Sequence, residues 1–249
     1  MSTRFDAVDE SYSPIRVAGG ASSVLFAAST ALSILVLLLP SGIWSDIAQV
    51  SFAVAVFAAF VLSIALRQYW GPRAHRKRID DLISHAFNVQ LIDKSSSGYY
   101  HTKETAAARR LNAAVAENTF YGKAIVTKML PGERVFFFGY VLVWIVAVMF
   151  RSTSLTMLIV VSQALFSEQI FSRWIRIEAL RLRFENIYDS ARNLSKFNKD
   201  KDLFLPLAIQ NFVQYELAKA HAGVSLSTRI FDELNKQLEV EWAEIEKEL

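Results

Sequence analysis

Four apolar runs, set as two tight pairs around a polar and basic block, dominate the pattern of the chain. Val17–Pro40 and Ile47–Leu66 make the first pair, and Val135–Phe150 and Ser152–Phe171 make the second. No Asp, Glu, Lys or Arg falls between Ala18 and Leu39 or between Ile47 and Leu66. In the second pair 16 uncharged residues stand on each side of Arg151, so the ends of these runs draw on interfacial residues. A membrane helix needs ~20 mainly apolar residues to cross ~30 Å of hydrocarbon. The pattern therefore predicts four transmembrane helices arranged as two hairpins. The first run is too long for the core of a signal peptide and lacks a basic leader, so it reads as a retained anchor.

The polar remainder reads as helix. Gly71-Pro72-Arg73 is expected to end the second span, after which Ile79, Leu82, Ile83, Ala86 and Phe87 recur at helical spacing. Asn88–Ile92 alternates and reads as extended, and Lys94–Gly98 reads as a loop. A helix is expected from Thr102 to about Leu130, closed by Pro131-Gly132. Beyond Phe171 no breaker appears before Lys196, so the fourth span is expected to run on as a long helix. Leu203–Ala222 and the amphipathic Leu226–Leu249 follow, with Gly223 as the C-cap between them. The fold class is an all-α membrane protein. Its parts are a mobile lead (1–16), hairpin one (17–66), a helical insert (67–134), hairpin two (135–171) and a helical tail (172–249).

Charge assigns the sides. The turn Pro40–Asp46 carries no Lys or Arg and Arg151–Thr153 carries one, whereas Arg67–Arg134 carries twelve and the chain after Glu168 another twelve. The positive-inside rule places the insert, the tail and both termini in the cytoplasm of a multi-pass inner-membrane protein. Trp44, Tyr69, Trp70 and Trp174 fall at headgroup depth. The 249 residues leave material for one modest module outside lipid, and the absence of cysteine excludes disulfides and thiolate chemistry.

Small residues recur every fourth position in the first two spans, as Gly19, Ser23, Ala27 and Ala31 and as Ser51, Ala55, Ala59 and Ser63. Such stripes let helix backbones approach closely in lipid. Their simplest expected use is to hold hairpin one together; a seam between subunits is the alternative. In the fourth span Ser152, Thr156, Gln163 and Ser167 share one face, with Glu168 at its cytoplasmic end. Polar groups in hydrocarbon must face protein or water. They are expected either to line a pore made by several copies or to form a hydrogen-bonded seam between helices. An acidic ring at Glu168 would favour cations.

Catalytic chemistry is not expected. His75, His85, His101 and His221 lack metal-ligand spacing, and no phosphate-binding loop or nucleophile elbow occurs. No catalytic residue, metal or cofactor is assigned, and Asp80-Asp81 reads as helix surface. The insert carries twelve positive against six negative residues. Arg76, Lys77 and Arg78, close to the second span, are expected to meet anionic lipid. Further on, Lys94, Tyr99, Tyr100, His101, Lys103, Arg109 and Arg110 combine cations with aromatics, a set suited to phosphates and stacked bases. Arg181, Arg183 and Arg192 form a weaker second set, partly neutralised by Glu178, Glu185 and Asp189.

The order of hairpin, helical insert, hairpin and helical tail resembles the SMODS-associated four-transmembrane effectors of bacterial antiviral operons. The insert text from Arg78-Ile79-Asp80-Asp81-Leu82-Ile83 to Phe87-Asn88-Val89-Gln90-Leu91 is similar to the stretch after the first hairpin in that family. The resemblance implies a partner nucleotidyltransferase, a nucleotide or oligonucleotide signal and a gated membrane pore. The expected function is thus a homo-oligomeric channel that the signal opens or holds shut. A non-conducting membrane adaptor that docks a soluble protein is the alternative; a secondary transporter fits poorly, since no span is broken or charged at mid-depth.

Overall fold

The computed structural model describes residues 6–93, 96, 102, 104–149, 171–197 and 201–247. These are helical and joined by turns, with no strand among the described residues. The helices are α1 (Asp9–Leu38), α2 (Ile43–Ile64), α3 (Gly71–Phe87), α4 (Ala107–Met149), α5 (Arg173–Phe197), α6 (Lys201–Ala222) and α7 (Thr228–Glu246). Three stretches are long and apolar enough to cross a membrane: Asp9–Val36, Ile43–Phe87 and Ala107–Val146. The expected fourth span, from Ser152, lies outside the described residues except for Phe171, and with it the arrangement as two hairpins.

Two expected helix breaks are absent. Between α2 and α3 the chain stays helical through a wide π turn, Ala65–Trp70, closed by Gly71 N–H donating to Leu66 O. The widened turn shifts the register just before Pro72, where a regular α-helix would drive the ring into the carbonyl four residues back. Gly71 is required there, because a Cβ would stand 2.7 Å from Leu66 O. Pro131 likewise lies inside α4. Thr127 is exposed, so the carbonyl that Pro131 leaves without a donor can meet solvent. The third difference is at the start: α1 begins at Asp9, so part of the expected lead is helix, and Val8 is buried.

The chain divides into two units. One comprises residues up to Glu10, His75–Pro131 and Ile175–Leu249; the other comprises Ser11–Ala74 and Gly132–Trp174. In the first, Leu82 and Ala86 of α3, Leu111 and Ala114 of α4, Leu194 of α5 and Phe204 and Ala208 of α6 form one buried cluster. A second joins Ala116, Tyr188, Ala191 and Trp242, with Phe120 and Tyr121 packed against it. Each large side chain removed from water here stabilises the fold by about 2 kcal/mol. α3 ends in a Schellman turn: Asn88 adopts φ 56° and Val89 N–H donates to Ser84 O at 3.2 Å. Asn88, the first residue of the stretch expected to be extended, therefore belongs to the turn, and the residues after it form no strand. Gly223, at φ 54° with its N–H on Lys219 O, ends α6, and the Ser227 hydroxyl caps α7 by accepting from Ile230 N–H.

In the other unit Phe137 of α4 packs with Phe26, Tyr140, Val141, Trp144, Phe171 and Trp174. The rings of Phe137 and Trp174 stack at 4.4 Å, and Arg173 Nε donates to Glu133 Oε1 at 2.9 Å.

Candidate functional site

His75, Arg78 and Asp81 follow one another at intervals of three on α3, which aligns them on one face. Arg78 reaches Asp6 Oδ2 at 2.7 Å and Asp81 Oδ2 at 3.8 Å. Asp81, 1% exposed, also accepts from Ser96 N–H at 3.0 Å and Ser96 Oγ–H at 2.8 Å. The same Ser96 oxygen accepts from Ala7 N–H at 3.2 Å. On α6, Glu216 faces His75 Nε2 at 2.9 Å and Lys219 Nζ at 3.5 Å, and Lys219 lies over the Tyr215 ring.

Burial alone would raise the pKa of Glu216, but the His75 hydrogen bond and the nearby Lys219 charge outweigh it, so the carboxyl titrates below its usual range. Lys219 is lowered by burial, aided by the Arg78 charge and opposed by Glu216. Arg78 and Lys219 are therefore near enough for their charges to interact. His85, one turn beyond Asp81, is lowered by burial and then by the Arg110 charge, against Asp81. Sequence reasoning assigned Asp80-Asp81 to the surface and missed Asp6, Ser96, Glu216 and Lys219. The one local signal was mixed charge at i, i+3 spacing beside the apolar positions of α3.

A second network is neutral and centres on two buried asparagines, Asn112 and Asn211, with Ser195 half-buried and Ser190 exposed. Asn112 Nδ2 donates to Ala191 O at 2.8 Å and to Ser195 Oγ at 2.9 Å, and its Oδ1 accepts from Asn211 at 3.2 Å. Ser190 Oγ donates to Asn211 Oδ1 at 2.8 Å. Together these bonds tie α4, α5 and α6 in one register.

Of the expected anion-binding set, Lys94, Tyr99, Tyr100, His101 and Lys103 lie outside the described residues, as do Ser152, Thr156, Gln163, Ser167 and Glu168 of the expected pore face. Arg109 is exposed, with its guanidinium 5.4 Å from the Phe204 ring centre. Arg110 is half-buried, and its Nε donates to Ala86 O at 2.9 Å, where it closes the end of α3. Of the three residues expected to meet anionic lipid, Arg78 is paired with Asp6 and Asp81, and Arg76 and Lys77 are exposed. Arg181 is paired with Glu178 and Glu185, the neutralisation that its spacing predicts. The stripe Ser51, Ala55, Ala59 and Ser63 is covered to varying degrees, whereas Gly19, Ser23, Ala27 and Ala31 are exposed. The first stripe is therefore not consumed in packing the two helices together.

The charged cluster is balanced in sign, so its chemistry is that of a latch rather than an anion pocket. It fastens the Ser96 end of the segment expected to bind ligand onto α3. Among the described residues no group of three or more His, Asp or Glu is placed to hold a metal ion. Compared with known protein families, characterised proteins and solved structures, the chain matches none.

Proposed function

We propose that the chain assembles into a homo-oligomeric membrane pore gated by a nucleotide or oligonucleotide signal in bacterial antiphage defence. The observation that carries the reading is the nakedness of its apolar helices. Within the single chain 0% of the apolar window in Asp9–Val36 is buried, and 11% of each of those in Ile43–Phe87 and Ala107–Val146. Surfaces of that length stay uncovered only if lipid or other copies cover them. The exposed stripe Gly19–Ala31 favours copies. A signal made by a partner nucleotidyltransferase would bind the basic and aromatic segment from Lys94 to Arg110. The Ser96–Asp81 latch and unbroken α4 would carry its effect toward the apolar stretches, with anionic lipid at Arg76 and Lys77. Such gating requires unequal affinity for open and closed states.

Planar-bilayer recording of the purified protein tests this. Current that appears or disappears on adding nucleotide supports the pore; silence under both conditions rejects it. One feature favours the non-conducting adaptor instead: from Arg229 onward the chain carries seven Asp or Glu against three Lys or Arg, a face suited to a basic protein partner.

A further inference from the structure

α6 is apolar on both sides. Phe204, Ala208, Asn211, Tyr215 and Ala218 face the interior. On the opposite side every exposed side chain from Leu203 to Leu217 is uncharged. A helix that is apolar all round is normally covered all round. The outer side also has a finer order. Leu203, Pro206, Gln210, Val213, Leu217 and Ala220 are separated by three, four, three, four and three residues, and all six are exposed. That spacing is the a/d seam of a helix pair, with Gln210 as a single polar residue at an a position.

We infer that this seam is where a second copy of the chain docks. Charge selects the occupant. The flanking e and g positions are Leu207, Ile209 and Gln214 at the centre, with Asp202, Glu216 and His221 toward the ends. In a parallel pair each g position meets the e position five residues on, so Asp202 meets Leu207 and Glu216 meets His221, and no like charges face each other. Gln210 carries both a donor and an acceptor and can pair with its own counterpart. The exposed acids of α7, by contrast, would repel their own copies. A bilayer is a poorer fit, because helices that lie on lipid carry Lys or Arg beside the apolar face, and Lys219, the one Lys or Arg of α6 beyond its first position, turns to Glu216. In extent, Leu203, Leu207, Ile209, Val213 and Leu217 are 39–54% exposed, and Pro206, Gln210, Gln214 and Ala220 beside them are exposed as well. They offer on the order of 500 Å² per copy, about 1,000 Å² for a pair, the lower bound for a specific interface. Such a contact holds when other elements keep the copies together, as anchorage in one membrane does. The inference therefore rests on the homo-oligomer proposed above and names one of its surfaces.

The absence of native cysteine makes the test direct. Gln210→Cys and Ala220→Cys, oxidised in membranes, should each give a disulfide-linked dimer as the main species. Gln237→Cys, exposed on α7, should stay monomeric. Adding Val213→Glu should reduce the Gln210→Cys dimer at least tenfold with unchanged helix content. Equal crosslinking at Gln237→Cys, or indifference to Val213→Glu, overturns the seam. So does quenching of a fluorophore at Gln210→Cys by nitroxide lipids, which would put the face on the bilayer. Bilayer recordings on the same samples separate the two ideas: nucleotide-dependent current without the crosslink sinks the seam and leaves the pore, and the crosslink without current does the reverse.

Discussion

Asp81 takes both the backbone N–H and the hydroxyl of Ser96, at 3.0 and 2.8 Å, across fifteen residues of chain. Arg78, itself held by Asp6, supplies the opposite charge. Removing one partner of a buried pair strands the other, at a cost of about 3 kcal/mol. Asp81→Ala should therefore lower the thermal unfolding temperature in detergent sharply. Asp81→Asn keeps an acceptor for Ser96 and should cost less, and Ser96→Ala about 1 kcal/mol. Equal melting of Asp81→Ala and the parent protein would show that the latch carries no stability.

That latch marks the limit of what the linear text reveals. The apolar runs, the all-α class, α6 and its Gly223 cap are legible because each depends on local spacing or a single backbone angle. Asp81 is not legible, because its hydrogen-bond donor Ser96 lies fifteen residues on and the Arg78 beside it is held by Asp6, far back along the chain. Pro72 and Pro131 mislead for a different reason. A helix tolerates proline where a wide turn shifts the register or solvent receives the freed carbonyl, and neither condition is written in the sequence. The Lys94–Lys103 part of the anion set rests on its pairing of cations with aromatics, and of that whole set only Arg109 and Arg110 have a described environment.

The Asn112 network should behave as a unit. Asn112→Ala leaves the Asn211 amide unpaired in a dry interior, worth about 1–3 kcal/mol, and Asn211→Ala strands the Asn112 oxygen in turn, whereas exposed Ser190 can turn to solvent. The double variant should lose less than the sum, since the second change removes a group already orphaned. Chemical unfolding of the three variants measures this coupling, and strict additivity would show that the bonds are independent.

Two glycines of α4 should respond oppositely to alanine. A Cβ at Gly122 would stand 2.6 Å from Phe184 Cε2, whereas one at Gly132 meets nothing within 4 Å. Alanine gains about 1 kcal/mol of helix propensity at either site. At Gly122 overpacking against a buried ring costs about 1–3 kcal/mol, so the loss wins. Gly122→Ala should destabilise, Gly132→Ala should not, and Phe184→Leu should relieve the first. Stabilisation by Gly122→Ala would contradict the close approach of α4 and α5.

His85 makes stability pH-dependent. Its pKa is lowered in the fold by burial and then by Arg110, so in the window below about 6.5 the unfolded chain binds the proton first. Stability should fall as pH drops through that window and level off once the folded protein also protonates. Lowered Glu216 adds a separate loss at more acidic pH, below the ordinary carboxylate range. His85→Gln should flatten the first phase and leave the second, as followed by melting temperature from about pH 7.5 down to about pH 3, a range that covers ordinary histidine and carboxylate titration. An unchanged slope in His85→Gln would assign the phase to another group.

Arg109 and Arg110 separate binding from folding. Arg110 holds Ala86 O at the end of α3, so Arg110→Ala should lower stability by about 1 kcal/mol even without ligand. Arg109 is exposed over Phe204 and can leave that ring for a phosphate. Arg109→Ala should leave the melting temperature within about a degree, because exposed substitutions cost ~0.5 kcal/mol or less. It should nevertheless weaken nucleotide binding at low salt, with the difference shrinking as salt screens the lost contact. If Arg109→Ala binds nucleotide as tightly as the parent chain at every ionic strength, while Arg110→Ala loses both stability and affinity, then Arg110 acts by holding the fold and the proposed phosphate contact is not at Arg109.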